Sequence, residues 1–444
     1  MTKKLFLKTF GCQMNVYDSA RMADILRGLG FEQTDAPEDA DIIIFNTCHI
    51  REKASEKIFS ELGRFKPLKE ARRKEGGDLI IVVAGCVVQA ESDEFINRAK
   101  FVDIAMGPQT YHRLPEMLKK LQDGNKRLHI IDTDFPAEPK FDFLPAAKST
   151  GVSAFLAIQE GCDRFCSYCV VPYTRGAEYS RDAAGILKEA RELAATGTKE
   201  LMLLGQNVNA WHGEGLDGNV WDLSRLVAKI ADIDGIERIR YTTSYPSDFT
   251  DDMIAMHRDI PKVMPYLHLP VQSGSNRILK AMNRRYTHEQ YEDVIAKLRD
   301  ACPDIALSSD FITGFPEETD EDFEDTMKLV ERVKYAQSYS FKYSARPGTP
   351  AAGMKNQVDE KIKGERLERL QTLLTEQHAA YNAAFKGKVV DVLPESSGRK
   401  EGTLLGHSPQ MQNVVFKGDE SMIGRIVPVR ITKTTAAALE GEAV

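Results

Sequence analysis

The chain has 444 residues, of which 42% are hydrophobic and 28% charged, so it exceeds one ordinary domain and has the composition of a folded protein. A formal net charge of −7 argues against a surface that is basic throughout, although local basic patches for nucleic acid stay possible. No apolar run approaches the roughly 20 residues that span a bilayer, and the amino terminus lacks a signal-peptide pattern. We therefore expect a cytoplasmic protein without membrane contact.

Apolar patterning in the first part of the chain predicts alternating strands and helices. Strands are expected at residues 4–9, 41–45 and 79–83, with an amphipathic helix at residues 18–29. The second and third strands are continuous apolar runs, DIIIF and LIIVV, which are typical of strands buried on both faces of a parallel sheet. We predict an open α/β domain over residues 1–135.

The seven cysteines form an odd set that does not suit a disulfide framework. Cys12, Cys48 and Cys86 each follow one of the three predicted strands. Because ligands bind beyond the carboxyl ends of strands in an open α/β sheet, these thiols are expected to meet in one crevice. One such cysteine would be interpreted as a small buried apolar residue. Three at equivalent positions favour a three-cysteine iron–sulfur cluster.

A basic stretch and a linker follow. Residues 51–75 contain nine Lys or Arg and five Glu on an amphipathic helical pattern. A solvated helix face and a phosphate-contacting surface both fit this stretch.

Residues 133–153 lose periodicity and contain several prolines, which predicts a linker and a domain boundary.

The next cysteines, Cys162, Cys166 and Cys169, have the spacing C-x3-C-x2-C. Three thiolates from one loop bind three irons of a cubic cluster and leave the fourth iron open, whereas ferredoxin-type carriers fill that position with a fourth cysteine. A zinc loop is the alternative, but zinc sites usually have four Cys or His ligands and none follows nearby.

The sequence QEGCDRFCSYCVVPYTRG around these cysteines resembles the cluster-binding loop of the radical S-adenosylmethionine (SAM) superfamily. The resemblance implies that the amino and carboxylate groups of SAM chelate the open iron. From residue 154 onward, strands are predicted at residues 155–159, 201–205, 237–243, 266–270, 306–314 and 338–344. Six βα units are too few for a closed eight-stranded barrel, so we predict a (βα)6 partial barrel over residues 148–375.

Polar residues and glycines follow several of these strands, where a barrel site lies. A glycine allows close approach of a ligand, and amide side chains can bond SAM. Gln272 and Ser273 are predicted to meet a ribose, and the DFITGFPEE segment resembles the superfamily segment beside adenine. The predicted SAM-binding residues are Gly205, Gln206, Asn207, Gln272, Ser273, Ile312 and Gly314.

Other polar residues have two interpretations. Arg175, Glu178 and Arg181 form either an exposed set of ion pairs or, as we predict from their closeness to the cysteine loop, a substrate contact. His268 is expected to be a half-buried histidine with hydrogen-bond partners rather than a metal ligand. Cys302 has no neighbouring ligand in the sequence and is expected to be a buried thiol.

The last segment predicts a helix at residues 359–385 and a small five-stranded antiparallel β-barrel over residues 377–440. Its strands are the apolar stretches KVVDVLPE, TLLGHS, NVVFKG and GRIVPVRITKTT, separated by glycines. Barrels that resemble the oligonucleotide-binding fold are common RNA platforms. A capping domain without a ligand is the alternative.

Together the three parts resemble the radical SAM methylthiotransferases, whose members join a three-cysteine domain, a radical SAM core and a TRAM barrel. TFGCQMNVYDS and ASEKIFSELGRFK resemble the bacterial members that modify tRNA, and Gln13 and Met14 separate them from members with Gly-Cys-Pro-Lys-Asn or Gly-Cys-Lys-Val-Asn. These bacterial members add a methylthio group to C2 of N6-isopentenyladenosine 37. Glu317 departs from the family pattern, which usually has glycine after GFP.

The resemblance implies two [4Fe–4S] clusters, one on each cysteine set, and two roles for SAM, as radical source and as methyl donor. It implies as partners tRNA with isopentenylated adenosine 37, an external electron donor and a sulfur donor, and we expect a monomer. Three alternatives stay open: the same reaction on threonylcarbamoyladenosine in tRNA, the same reaction on a ribosomal-protein aspartate, and a non-catalytic RNA-binding protein that contains metal.

Overall fold

The computed structural model describes residues 2–49, 54–123, 129–149 and 151–444. Contacts divide the chain into two compact units. The first comprises Met1–Lys148, Glu160–Asp163 and Val170–Tyr179, and the second comprises Ser149–Gln159, Arg164–Cys169 and Ser180–Val444. The main division falls inside the predicted linker, but two short pieces around the second cysteine loop belong to the first unit.

The first unit is an open α/β fold. Its strands are β1 (Lys3–Thr9), β2 (Phe31–Gln33), β3 (Ile42–Thr47), β4 (Ile80–Gly85), β5 (Ile104–Met106) and β6 (Ile130–Asp132). Its helices are α1 (Gln13–Gly28), α2 (Ala54–Lys74), α3 (Cys86–Arg98), α4 (Leu114–Asp123) and α5 (Val171–Arg175). The strands form one parallel sheet in the order β2-β1-β3-β4-β5-β6.

Strand β3 shows why this sheet forms. All six of its residues are buried. Ile42 packs with Leu26 of α1 on one face of the sheet, and Ile43 packs with Leu62 of α2 on the other. Successive side chains of a strand point to opposite faces, so a continuous apolar run suits a sheet covered on both sides.

Two features of the first unit differ from what the sequence predicts. Helix α1 begins at Gln13 rather than at residue 18, because Cys12 already has the extended backbone of a residue before a helix. The predicted linker contains a short 3-10 turn, Lys140–Phe143, and Lys140 is buried in it. Residues 51–53 of the predicted basic helix lie outside the described residues.

The second unit begins with the predicted partial barrel. Its strands are β7 (Ser153–Ala157), β10 (Glu200–Leu204), β11 (Arg238–Tyr241), β12 (Tyr266–His268), β13 (Ala306–Thr313) and β14 (Gln337–Lys342), and two short strands at the boundary of the units are β8 (Gln159–Glu160) and β9 (Tyr179–Ser180). The helices are α6 (Ala183–Ala195), α7 (Leu223–Ala231), α8 (Asp251–Asp259), α9 (Asn276–Ala281), α10 (His288–Ala301), α11 (Asp320–Val333) and α12 (Glu360–Ala383).

The six barrel strands pair in parallel as β7-β10-β11 and β12-β13-β14, and a parallel bridge pairs Ile239 of β11 with Val263, which lies just before β12. Capping boxes at Thr287 and Thr319 begin α10 and α11, because a hydroxyl at this position satisfies an amide of the first turn. The predicted (βα)6 partial barrel is confirmed. In the described residues, no helix has the length and apolar character needed to cross a membrane.

A closed five-stranded barrel ends the chain. Its strands are β15 (Val389–Ser397), β16 (Thr403–His407), β17 (Asn413–Lys417), β18 (Val427–Thr434) and β19 (Leu439–Ala443). The order is β15-β16-β17-β19-β18, and β17 pairs with β19 in parallel, so the predicted antiparallel barrel is antiparallel at four of its five pairings. Five strands were predicted, but the four apolar stretches do not include β19, because LEGEA lacks β-branched residues.

A buried polar cluster within the second unit joins this small barrel to β10 and β11. His407 Nε2 lies 2.7 Å from Glu200 Oε2, and Arg238 donates to the carbonyl oxygens of His407 at 3.0 Å and Asp391 at 2.8 Å. Burial lowers the pKa of His407, but its bonds with Glu200 and Glu395 outweigh burial and raise the pKa. Burial acts to raise the pKa of Glu200, but the hydrogen bonds and charges of His407 and Arg240 outweigh burial and lower that pKa to about 2.

This cluster predicts a pH dependence of stability. Because the pKa of His407 is raised in the folded protein, its stabilisation is complete below the ordinary value of 6.5 and is lost as pH rises through the folded value. The stabilisation from Glu200 is complete above 4.5 and is lost as pH falls through about 2. We expect the melting temperature to fall as pH rises above 6.5.

The control is His407→Gln, because glutamine cannot be protonated. Differential scanning calorimetry should show a lower melting temperature for this variant at pH 6.5 and a smaller decrease than for wild type as pH rises. Equal pH profiles for the two proteins would contradict the assignment.

Candidate cofactor sites

Two glycines hold the cysteine-bearing loops of the first unit close together. Gly11 has a φ of +106°, and a Cβ there would lie 2.0 Å from Cys48 Cβ. Gly85 has a φ of +100°, and its Cβ would lie 2.3 Å from the carbonyl oxygen of Thr47. Glycine adopts this backbone conformation without steric cost. The loops after β1, β3 and β4 therefore approach each other without side chains between them.

Two thiols of this unit, those of Cys12 and Cys86, lie within the electrostatic influence of Arg175. The hydrogen bond with the Cys48 thiol, assisted by the charge of Arg175, lowers the pKa of Cys12 to about 6 despite burial. Burial raises the pKa of Cys86, and Arg175, which donates a hydrogen bond to that thiol, opposes part of the increase. Thiolate is the form that ligates metals. A low thiol pKa beside a fixed cation therefore fits a cluster-binding site.

A set of three cysteines can bind a single metal ion or a polynuclear cluster. Among the described residues, no three His, Cys, Asp or Glu side chains form a group that could hold one metal ion. A cubic cluster does not require such a group, because each thiolate binds a different iron. We propose Cys12, Cys48 and Cys86 as the ligands of such a cluster.

Arg175 belongs to a buried ionic network in the first unit. Its guanidinium donates to Asp18 at 2.8 Å, to Asn15 Oδ1 at 3.1 Å and to Glu160. Lys140 donates to Glu160 at 2.7 Å and to Asp18 at 3.3 Å. The four charged residues are each at most 4% exposed. Each carboxylate thus contacts two cations, and the two positive and two negative charges balance inside the unit.

Cys166 and Cys169 lie on a loop of the second unit, whereas Cys162 belongs to the first unit. Ser167 holds this loop by donating through its amide and hydroxyl groups to two carbonyls at the end of α9. Asn283 Nδ2 donates to the carbonyl oxygen of Phe165 at 2.9 Å. Six consecutive loop residues, 164–169, thus have a fixed position against α9.

Arg284 is a candidate functional residue that was not predicted from the sequence. Its Nη1 lies 3.6 Å from Cys166 Sγ, and its Nη2 donates to the carbonyl oxygen of Pro270 at 2.7 Å. The guanidinium carbon is 4.2 Å from the centroid of the Tyr245 ring. Arg284 thus places a buried positive charge beside one cysteine of the predicted cluster loop. Two adjacent arginines after a helix were too general a signal to identify it.

One of the predicted SAM residues after β10, Asn207, has an unsatisfied polar atom. Gly205 is packed so closely that a Cβ would lie 2.7 Å from Gln159 Oε1, which accepts a hydrogen bond from the Asn207 amide at 2.9 Å. Asn207 Nδ2 donates to Asp248 at 2.8 Å. Its Oδ1 is buried, and no described residue donates to it. Buried polar atoms normally have a partner, so this oxygen fits the ammonium group of SAM. Gln206 is half-buried beside it.

The other predicted SAM residues have different environments. The Gln272 amide donates to the carbonyl oxygen of Asp310 at 2.9 Å, and its φ is +74°. Ser273 is 1% exposed, and its hydroxyl accepts a hydrogen bond from the Ser275 amide. Gln272 is 8% exposed, so both residues are buried, and their contact with the ribose of SAM stays a prediction. Both residues lie in the second unit.

The segment after β13 contains Ile312, Gly314 and Glu317. Ile312 is half-buried. Gly314 has a φ of +69°, and a Cβ there would lie 2.2 Å from Lys363 Cγ. Glu317, the departure from the family pattern, has a φ of +68°, which explains why glycine is usual at this position. Its amide still bonds to the carbonyl oxygen of Asn356 at 3.0 Å.

The predicted substrate contact of Arg175, Glu178 and Arg181 requires a correction. Arg175 lies in the buried ionic network, and Arg181 is 6% exposed and pairs with Glu189 at 2.8 Å. Their guanidinium groups are held by carboxylates of their own units, so we do not propose them as substrate contacts. Glu178 is half-buried, and its amide donates to Asp163 Oδ1 at 3.2 Å.

Three protein families match successive parts of the chain. Residues 4–107 match the uncharacterized protein family UPF0004, residues 156–330 match the radical SAM superfamily, and residues 383–444 match the TRAM domain. The chain thus contains a radical SAM domain, whose fold implies a [4Fe–4S] cluster and SAM. The three domains together fit the MiaB-like methylthiotransferase family.

Solved structures share the fold. The radical SAM methyltransferase TsrM from Kitasatospora setae, with cobalamin and a [4Fe–4S] cluster bound, is 14% identical, with a TM-score of 0.59 over 79% of this chain and 74% of its own. The cobalamin-dependent SAM radical enzyme OxsB, with aqua-cobalamin bound, is 13% identical, with a TM-score of 0.53 over 84% of this chain and 56% of its own. Likeness at these identities concerns the fold alone.

The environment of Cys12 predicts selective reactivity in the cluster-free, reduced protein. With a pKa of about 6, Cys12 is mainly thiolate at neutral pH, and thiolate is the nucleophile. Iodoacetamide at pH 7 should therefore label Cys12 faster than Cys302, whose pKa is raised by burial. Peptide mass spectrometry measures both rates.

The matched variant is Cys48→Ala, which removes the chief cause of the low pKa. Labelling of Cys12 at pH 7 should then fall roughly tenfold. Once the pKa of a thiol lies above the working pH, each further unit of pKa lowers its thiolate fraction about tenfold. Unchanged labelling would show that Cys48 does not activate Cys12.

The backbone at Glu317 predicts that Glu317→Gly stabilises the protein. The left-handed conformation costs a non-glycine residue about 1 kcal/mol, and the greater freedom of glycine in the unfolded chain offsets part of the gain. We expect a gain of about 0.5 kcal/mol in the free energy of unfolding, measured by urea denaturation. Glu317→Ala is the control because it retains the Cβ, and an equal gain in both variants would exclude backbone strain as the cause.

Proposed function

We propose that this chain is a MiaB-type radical SAM methylthiotransferase, which adds a methylthio group to C2 of N6-isopentenyladenosine 37 in tRNA. The observation that carries the proposal is the set of three thiols beside Arg175 in the first unit, in a chain that also has a radical SAM domain. An enzyme that only generates a radical needs one cluster. A second thiol set, at the crevice of another domain, supports a reaction that also transfers sulfur.

The hard chemistry belongs to the cofactors: two [4Fe–4S] clusters and SAM would supply the radical, the sulfur and the methyl group. Cys162, Cys166 and Cys169 would ligate one cluster, and Cys12, Cys48 and Cys86 the other. Arg284 would hold positive charge beside the Cys166 thiolate, as Arg175 would beside Cys86.

The amide oxygen of Asn207 would orient SAM by accepting from its ammonium group. Gly205 and Gly314 would keep side chains away from the ligand, and Gln272 would contact its ribose. The TRAM barrel would contact the RNA, in keeping with its small closed architecture. The electron donor, the sulfur donor, a monomeric state and a cytoplasmic location are part of the same proposal.

The deciding experiment is an anaerobic assay of the reconstituted protein with SAM, a reductant and isopentenylated tRNA. We expect about eight irons per chain, because each cubic cluster has ~four. We also expect 5′-deoxyadenosine released from SAM, and 2-methylthio-N6-isopentenyladenosine among the nucleosides of the digested tRNA. Triple alanine replacement of Cys162, Cys166 and Cys169 should abolish formation of deoxyadenosine. The same replacement of Cys12, Cys48 and Cys86 should preserve deoxyadenosine and abolish the methylthio product.

The other outcomes separate the alternatives. Product from threonylcarbamoyl-tRNA or from a ribosomal-protein aspartate would move the reaction to that substrate. A wild-type protein that binds RNA but cleaves no SAM would favour a non-catalytic protein. If both triple variants lost the same single cluster signal, the assignment of two cluster sites would be wrong.

A further inference from the structure

Two large aromatic side chains in the lumen of the partial barrel have no role in the proposed cofactor sites. Tyr339 and Phe341 lie on β14 and are 46% and 53% exposed. Their neighbour Lys342 points to the other side of the strand, where it pairs with Glu360 of α12 at 3.0 Å. Because side chains alternate along a strand, Tyr339 and Phe341 face the lumen. Exposed aromatic rings on a rigid strand are typical of surfaces that bind a ligand.

Polar groups of the neighbouring strands lie beside these rings. Asp310 is in register with Tyr339 and Ile312 with Phe341, so all four share one face of the sheet. His268 Nε2 lies 3.5 Å from Asp310 Oδ2, and the His268 ring is 6.1 Å from the Tyr339 ring at 73°. The Asp310 side chain is 29% exposed. A carboxylate with an open side is thus adjacent to an exposed aromatic ring.

Other contacts fix this group. His268 Nδ1 bonds with Ser308 Oγ at 3.0 Å, and Gln337 Nε2 donates to the Tyr339 hydroxyl at 3.0 Å. The imidazole and the phenol are therefore positioned before a ligand arrives. Preorganised groups bind a rigid ligand with little loss of side-chain freedom.

The ligand that suits this arrangement is a purine base with an amine donor. Bases stack on aromatic side chains, and a carboxylate accepts a hydrogen bond from an exocyclic amine. An adenine alkylated on N6 keeps one N6–H donor for Asp310. Its alkyl group needs an apolar neighbour, which Phe341 provides.

We propose that Tyr339, Phe341, Asp310 and His268 form the subsite that receives the adenine base of the RNA substrate. Tyr339 stacks on the base, and Asp310, held by His268, accepts the N6–H hydrogen bond. This inference rests on the proposed function, because it names the residues by which that reaction selects its base.

The test uses the full-length, reconstituted protein and two anticodon stem-loops, one with N6-isopentenyladenosine and one abasic at the same position. Both RNAs make the same phosphate contacts elsewhere, so their difference in affinity reports the base subsite. Fluorescence anisotropy should show that Tyr339→Ala weakens binding of the adenine stem-loop about fivefold or more, as expected for the loss of one stacked base. Binding of the abasic RNA should be unchanged.

Two control variants guard against misfolding. Ser340→Ala changes the outward side of the same strand and should bind both RNAs as wild type does. Tyr339→Phe retains the ring and should restore the preference for the adenine stem-loop.

The adenine of SAM is the other source of the same chemistry, so SAM affinity is measured separately by equilibrium dialysis. Weaker SAM binding by Tyr339→Ala with unchanged RNA binding would overturn the inference and assign the rings to the cofactor. Equal loss for both RNAs, or no loss, would also overturn it. Failure of the proposed function is distinguishable from failure of this inference. In the first case the wild-type protein itself would form no 2-methylthio-N6-isopentenyladenosine.

Discussion

The buried ionic network of Arg175, Lys140, Asp18 and Glu160 is the constraint on which the first unit depends. Four charges without solvent are stable only when each has partners of opposite sign, and removal of one member leaves an unpaired buried charge that costs about 3–5 kcal/mol. The network therefore fixes the segment that carries Arg175 against the helix that carries Asp18. The same guanidinium also bonds to the Cys86 thiol. Arg175 thus stabilises the fold of the first unit and also sets the electrostatics around the Cys86 thiol.

In the second unit, the corresponding role belongs to Arg284, which stacks on Tyr245 and lies beside Cys166. Each unit therefore places a buried arginine next to a cysteine proposed as a cluster ligand. A cation beside a thiolate offsets the cost of burying negative charge. This common arrangement supports the proposal that each unit contributes cysteines to a cluster site.

Much of the fold was predictable because its signals are local. Continuous apolar runs identified the strands of the parallel sheet, and six βα units identified the partial barrel. The cysteines at strand ends were visible for the same reason, since the carboxyl ends of parallel strands meet at one edge. Strand β19 and the parallel pairing of β17 were missed, because weakly apolar residues and strand partners far apart in sequence leave no periodic signal.

The sequence by itself determined the three successive parts that the family models match, the two cysteine sets and the family that they resemble, because spacing and periodicity are properties of the chain. Only the tertiary structure decided what the charged residues do. Arg175 and Arg181 follow the cysteine loop as plausible surface residues, yet both are buried and paired. Burial and ion pairing depend on partners that are distant in sequence, such as Asp18 for Arg175 and Glu200 for His407, and no local pattern encodes them.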